Sequence, residues 1–129
     1  RRCGWFDSAI VRHAVRINGL RSLALTKLDV LDGIDPLRIC VAYRYRGKSI
    51  KEFPTGREIF KDCKPVYINL PGWKEKTKGI QEFSLLPTNA RGYLRKIEDL
   101  VHAKISIVSM GRSREETIVI DRDLVDFNF

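Results

Sequence analysis

The sequence is short of several things at once. No apolar run reaches the length a membrane span needs, and nothing resembles a secretory leader, so a soluble, cytosolic chain is expected. Neither Gly-x-x-x-x-Gly-Lys-Ser/Thr nor Gly-x-Gly-x-x-Gly occurs, so the chain has no phosphate-cradling loop of its own. Its 3 cysteines, Cys3, Cys40 and Cys63, are odd in number, widely spaced and never paired as Cys-x-x-Cys, and histidines number only 2. That spacing suggests neither a disulfide framework nor a zinc site; free thiols in a reducing compartment fit it better. Methionine occurs once, at Met110, and the chain opens on Arg1-Arg2, from which a piece of a longer polypeptide is expected.

What is present points to one folded domain. At 129 residues with 43% apolar content the chain can bury a real core, and it is too short to expect two domains. Its 24 cations against 16 anions leave a net charge of +8, so the surface should favour polyanions, nucleotide phosphates or an acidic protein. These cations are spread through every segment instead of forming a block, which argues against a flexible basic arm.

The stretch from Leu23 to Gly33, Leu-Ala-Leu-Thr-Lys-Leu-Asp-Val-Leu-Asp-Gly, organises the rest. A short apolar run ending in Thr26-Lys27-Leu28-Asp29 reads as a buried strand that delivers a lysine and a carboxylate to a loop at its carboxyl end, where open α/β sheets place ligands. A fixed carboxylate at Asp29 can accept two parallel hydrogen bonds, and guanine presents two adjacent donors, its ring N–H and its exocyclic amine. Adenine cannot match that edge. On an extended segment Lys27 would point to the same side, its methylene stem lying over a flat base. A solvated Lys and Asp at a strand end is the other reading of this spacing, and a short motif alone does not separate the two.

Around it, the elements follow from period and punctuation. Arg1 and Arg2 offer planar forks for phosphate or carboxylate, or else form a frayed basic end. Asp7 and Ser8 can cap a helix in which Phe6, Ile10, Ala14 and Ile17 recur at helical spacing, widened by Val11 and Val15, until Asn18-Gly19 stops it. His13, among Arg12 and Arg16, reads as a surface histidine. After Asp35-Pro36, alternation places Leu37, Ile39, Val41, Tyr43 and Tyr45 on one face and Arg38, Cys40, Ala42, Arg44 and Arg46 on the other. This half-buried strand is turned by Gly47-Lys48 into a returning strand, Ser49 to Phe53. Because its tyrosines and arginines fall on opposite faces, the ribbon cannot form one stacking, charge-lined surface for nucleic acid.

Arg57 to Cys63 reads as a short helix with Ile59 and Phe60 inward, and Val66 to Leu70 as a brief strand. Pro71-Gly72-Trp73 forces a turn, with the tryptophan plugging a core edge. Lys74 to Lys78 reads as a polar excursion without chemistry. Pro87-Thr88 starts a helix striped by Tyr93, Leu94, Ile97, Leu100 and Val101; it ends near His102, where an imidazolium would complement the helix dipole. Ile105, Ile107 and Val108 form a second buried strand ending in Ser109-Met110-Gly111; if it neighbours the first, the two loops face one ligand. Arg112, Arg114, Glu115 and Glu116 alternate in sign as solvated loops do, Thr117 to Ile120 reads as a last strand, and the tail closes on Phe127 and Phe129.

Five blocks, Arg1-Arg2-Cys3-Gly4-Trp5-Phe6-Asp7, Leu25 through Asp32, Cys40-Val41-Ala42-Tyr43, Leu70-Pro71-Gly72-Trp73 and Ser109-Met110-Gly111, resemble in order and spacing the C-terminal part of the adenylosuccinate synthetase family, and they span nearly the whole chain. Members of that family transfer the γ-phosphoryl of GTP to the 6-oxygen of IMP and let the amine of L-aspartate displace it, giving adenylosuccinate, GDP and phosphate with magnesium. The resemblance implies an α/β fold: the C-terminal part of a mostly parallel, P-loop-NTPase-like sheet with flanking helices and a β-ribbon, residues 1–129 forming one C-terminal domain. It implies that Lys27, Leu28 and Asp29 with Ser109, Met110 and Gly111 are two guanine-holding, GTP-binding loops, that Arg1 contacts the guanine nucleotide, and that Arg2 helps shape the same edge. A cytoplasmic, homodimeric parent enzyme is implied, taking GTP, IMP, L-aspartate and Mg2+ without membrane association.

The phosphate loop, the catalytic aspartate and histidine, the magnesium site and most IMP and aspartate contacts of that family lie upstream. No residue here is therefore expected to be catalytic or to bind metal, and the chain alone is expected to be inactive. Two departures stand out: Arg112 follows Gly111 where many members have proline, and Met110 is bulkier than the usual occupant. Base contacts there are expected to run through backbone groups, in a loop less rigid for want of the proline. Two rivals come from other classes: a small basic nucleic-acid-binding domain, whose affinity would fall steeply with salt, and an interaction module without a ligand.

Overall fold

In a computed structural model, which describes residues 2–121, the chain enters through a two-residue strand, β1 (Phe6–Asp7), and turns at once into α1 (Ser8–Asn18). Asp7 makes that turn possible: its carboxylate accepts the Ile10 N–H at 3.1 Å and so caps the helix, and it also accepts the Tyr43 hydroxyl. Gly19, at φ 60, ends the helix in the left-handed conformation that glycine adopts without penalty. The buried positions are Ser8, Ala9 and Val15. The expected stripe is thus displaced: Phe6 belongs to β1, and Ile10 and Ile17 are 43% and 67% exposed. Capping at Asp7 starts the helical phase at Ser8, and small Ser8 and Ala9 allow a close approach to the next sheet, where the Ser8 hydroxyl donates to the Cys40 carbonyl at 2.7 Å.

Two sheets follow. In one, β3 (Leu37–Tyr45) runs parallel to β1 and antiparallel to both β4 (Lys48–Ile50) and β5 (Lys64–Leu70), with α2 (Arg57–Asp62) leading into β5. In the other, β2 (Ser22–Leu25) runs parallel to β6 (Lys104–Ser109), which pairs antiparallel with β7 (Thr117–Val119). The α/β class holds, and the pairing is mixed where a mostly parallel sheet was expected. Between the sheets lies α3 (Thr88–Val101), whose Tyr93, Leu94, Ile97 and Val101 share one core with Leu37 and Ile39 of β3, Ile105 and Val108 of β6, Leu28, Trp73 and Met110. Full burial of a residue such as Ile97 stabilises by about 1.5–3 kcal/mol, so this single core fastens both sheets together.

Alternation along β3 breaks in the middle. A register shift opposite β5 between Cys40 and Ala42 changes the phase of the strand, so Tyr43 packs with Cys40 and Ala9 instead of with Leu37 and Ile39. The strand is consequently covered on both faces from Ile39 to Tyr43 rather than half-buried. Its hairpin turns one residue earlier than expected: Tyr45 pairs with Lys48, leaving Arg46-Gly47 at φ 46 and 76 as the two-residue connection. Leaving the strand there, Arg46 folds its guanidinium over the Tyr45 ring at 5.1 Å. Phe60, expected inward, is 55% exposed and meets Phe53 edge-on. The strand Ser22–Leu25, expected to be buried, is only half-covered, because among the described residues β6 is its one hydrogen-bonded neighbour. Phe127 and Phe129 lie outside the described residues.

Candidate functional site

Parallel pairing decides where the two singled-out loops go. Leu25 is opposite Val108, so the loops that follow β2 and β6 leave the sheet at the same, carboxyl end. Both helix–strand units, α1 to β2 and α3 to β6, therefore deliver their loops to one place. There an open cavity of about 640 Å³ is lined by Thr26, Lys27, Asp29 and Val30 from the first loop, Ser109 to Arg112 from the second, and Lys78 and Glu116.

The first loop is not extended. Lys27 sits at φ 58, and Leu28–Leu31 form a 3-10 turn, so the two-residue strand spacing that was to align Lys27 with Asp29 does not exist. Both nevertheless line the cavity. Among the described residues the other two non-glycine residues at positive φ have ordinary reasons, Arg46 in a hairpin turn and His102 at the exposed end of α3; Lys27 takes this conformation, which costs about 1 kcal/mol or more, at the cavity itself. Leu28 turns its side chain fully into the core and does not line the cavity. Asp29 is half-buried, and among the described residues no donor bonds its carboxylate. Arg1 lies outside the described residues, and Arg2 is exposed and absent from the cavity lining.

The second loop is fastened from inside. Met110 lines the cavity from a fully buried position, and its N–H bonds the Glu116 carbonyl at 2.8 Å. The Ser109 hydroxyl donates to the Gly111 carbonyl at 2.8 Å. Glu116, expected on a solvated loop, is half-buried instead. It accepts the Ser113 N–H at 3.1 Å and the Ser113 hydroxyl at 3.2 Å, closing a reciprocal cap on the turn Arg114–Glu116. The Ser113 N–H holds the Glu116 carboxyl below its ordinary range. A Cβ at Gly111 would collide with that carboxylate, so a larger residue there would have to push Glu116 off its Ser113 partner. These ties fasten the loop that runs from Ser109 to Arg112.

The polar excursion before Lys78 carries structure after all. Asp32 accepts Trp73 Nε1–H at 2.6 Å, Thr77 N–H at 2.8 Å and the Thr77 hydroxyl at 3.0 Å. Thr77 is fully buried, and the next residue, Lys78, reaches the cavity with its Nζ 3.6 Å from Glu116 Oε1. Gly72 completes the junction: a Cβ there would run into the Ile34 carbonyl, while its N–H donates to Asp35 Oδ1 at 2.9 Å. Thr26, Val30, Lys78, Arg112 and Glu116 were not legible as cavity residues. Lys78 is brought there by the Asp32-to-Thr77 pairing and Glu116 by its Ser113 cap, and no local spacing reveals the first.

Other titratable groups are held by burial. Burial, then Asp7, pushes the Cys40 thiol up, and burial carries the Tyr93 phenol to about 12. Among the described residues no group of three or more His, Cys, Asp or Glu could hold a metal ion, and no helix is long and apolar enough to cross a membrane.

Comparison with known proteins agrees with this architecture. The adenylosuccinate synthetase family model matches residues 1–118. Adenylosuccinate synthetase from Synechococcus sp. is 52% identical over 121 residues, which are 94% of this chain and 27% of the relative. That from Carboxydothermus hydrogenoformans is 51% identical over 122 residues, 95% of this chain and 29% of the relative. The structure of fully ligated adenylosuccinate synthetase from Plasmodium falciparum superposes with a TM-score of 0.88 at 34% identity, covering 94% of this chain and 30% of that one. The chain thus spans less than a third of the length of these relatives.

Proposed function

The chain belongs to the adenylosuccinate synthetase family, and on that footing we propose that it forms the C-terminal, guanine-recognising domain of a GTP-dependent ligase of purine biosynthesis. The parent reaction joins IMP and L-aspartate at the expense of GTP, releasing adenylosuccinate, GDP and phosphate. One observation carries the base-reading role: two loops some eighty residues apart meet at the end of the parallel pair β2–β6, and the half-buried Asp29 carboxylate lining their cavity takes no hydrogen bond from the described residues.

The chemistry of recognition follows from donors and acceptors. Asp29 accepts the guanine ring N–H and exocyclic amine together, the Lys27 stem covers the base, and backbone groups of Ser109, Met110 and Gly111 serve its remaining polar edge. Adenine, with a ring nitrogen acceptor and no 2-amino group, would leave the half-buried carboxylate unsatisfied, at a cost of about 1–3 kcal/mol. Arg1 contributes to the nucleotide from the chain's beginning. These residues select the base and orient it; they move no proton and break no bond. The chain alone is therefore inactive.

The magnesium implied by the family does not fit the donor set at hand. Of the two carboxylates lining the cavity, Glu116 already serves Ser113 and Lys78, and among the described residues no third acidic or imidazole ligand joins Asp29. Metal, IMP and L-aspartate are accordingly assigned to the remainder of a cytoplasmic, homodimeric enzyme.

Substituting Asp29 by Asn in a protein of the relatives' full length tests this reading. A hydrogen bond to a charged acceptor contributes about 1.5–3 kcal/mol, so GTP should weaken roughly ten- to a hundred-fold while XTP, whose 2-oxo group accepts from asparagine, gains. Unchanged GTP dependence with XTP unused would overturn it.

A further inference from the structure

We propose that Asp32 is the positioning residue of the base pocket, fixing Asp29 and Lys78 relative to one another and thereby setting discrimination for the 2-amino group; this rests on the base-reading role of Asp29. Asp32 closes the same 3-10 turn that carries Asp29, its N–H bonding the Asp29 carbonyl at 3.2 Å. Its own carboxylate does not face the cavity lining but collects three donors from the segment beyond the Pro71-Gly72-Trp73 turn: the indole N–H, the Thr77 N–H and the Thr77 hydroxyl. A backbone bond from Gly33 N–H to the Trp73 carbonyl, 2.9 Å, runs alongside.

The consequence is a chain of contacts that runs along the cavity wall. From Asp29 it passes through Asp32 to Thr77, from Thr77 to the adjoining Lys78, from Lys78 across 3.6 Å to Glu116, and from Glu116 to the Gly111 backbone it packs against. Lys78 and the Asp29 turn are far apart in sequence, and among the described residues it is Asp32, at the end of that turn, whose side chain bonds Thr77 beside Lys78. A carboxylate suits the place because all three groups that it meets are donors. Asparagine would retain one acceptor oxygen and set its NH2 against either the indole N–H or the Thr77 N–H, a donor facing a donor. Either arrangement pushes the Asp29 turn and the Lys78 segment apart.

The test compares GTP with ITP, which lacks the 2-amino group, in a protein of the relatives' full length. Asp32→Asn should raise KM for GTP about ten-fold and lower the GTP-to-ITP preference by a similar factor, with kcat and the KM values for IMP and L-aspartate within about two-fold of wild type. General loosening of the fold would not single out the 2-amino group. Thr77→Val, which removes one donor and keeps the volume, should shift the same preference in the same direction by less, and it decides the matter if Asp32→Asn does not fold. An unchanged GTP-to-ITP preference in the folded variant, or a parallel change in every kinetic constant, overturns the proposal. Asp29→Asn, measured alongside, separates the two readings: if it leaves the preference at wild type, base reading fails; if it abolishes the preference while Asp32→Asn does not alter it, only positioning fails.

Discussion

The parallel pair β2–β6 and the hairpin β3–β4 differ in the span of their pairings. Ser22 pairs with Lys104 and Leu25 with Val108, whereas Tyr45 pairs with Lys48 across a two-residue turn. Parallel pairing needs a long crossover, and it places both carboxyl ends on one edge, so two remote loops are compelled to meet. Hairpin pairing puts successive connections at opposite ends, and its tight turn leaves no concavity. The cavity at Asp29 accordingly sits on the pair whose partners are distant, and the ribbon supplies core and cover.

The largest effect that would break this contrast concerns the core the two sheets share. Ile39 lies on β3, yet it packs with Ile97 of α3 and Val108 of β6. Ile39→Ala should therefore destabilise the whole chain by about 2–5 kcal/mol, with fluorescence of buried Trp73 and far-ultraviolet dichroism reporting one coincident denaturant transition. If the ribbon instead melted first and left the β2–β6 pair intact, the two regions would be separate folding units, and the division of labour would extend to stability.

The same contrast explains what could be read from residues alone. Asp7 and Gly19 bounded α1, and Tyr93, Leu94, Ile97 and Val101 marked the inward face of α3, because caps and helical period are local. The parallel placement of the two loops was legible only as a condition on the strands being neighbours, since no short-range signal encodes a pairing across eighty residues. The bulge at Cys40 to Ala42 was invisible because its cause is the register with β5, and it moved Tyr43 to the other face. Lys78 and Glu116 looked like solvated charges. What makes them cavity residues is the Asp32 anchor in one case and the Ser113 cap in the other, and both are tertiary. Ile10 and Ile17 were misread for the opposite reason: an apolar period was present, but nothing in the described structure covers that face.

A smaller effect sharpens the comparison through pH. The Ser113 N–H depresses the Glu116 carboxyl, so its folded-state value lies below the unfolded one. A carboxyl shifted this way contributes stability above the unfolded range and loses it as pH falls through the folded value. Hydrogen exchange at Met110 and Ser113 should thus be slower in wild type than in Glu116→Gln at neutral pH, and the difference should close in the acid range below the ordinary glutamate value. Amides of Tyr43 and Ile50 in the ribbon should show no such difference. Equal changes in both regions would mean that Glu116 supports the fold at large and not the cavity loop.

The smallest expected effect lies in the ribbon and has the opposite sign. Arg44 is exposed on β3 and stands directly across from Lys64 of β5, a like-charge pair, with Ser49 of β4 as its other neighbour. Like charges directly opposite on a sheet destabilise it, and an opposite-charge pair stabilises, each by about 0.2–1 kcal/mol. Arg44→Glu should therefore raise the denaturation midpoint slightly, by an amount that added salt reduces, while GTP affinity in a protein of the relatives' full length stays unchanged. A basic nucleic-acid-binding domain would behave differently, since loss of an exposed arginine from an aromatic-bearing strand should weaken oligonucleotide binding and flatten its salt dependence. If Arg44→Glu lowered GTP affinity as much as stability rose, the ribbon would be coupled to the cavity through the shared core, and the separation of cover from binding would no longer stand.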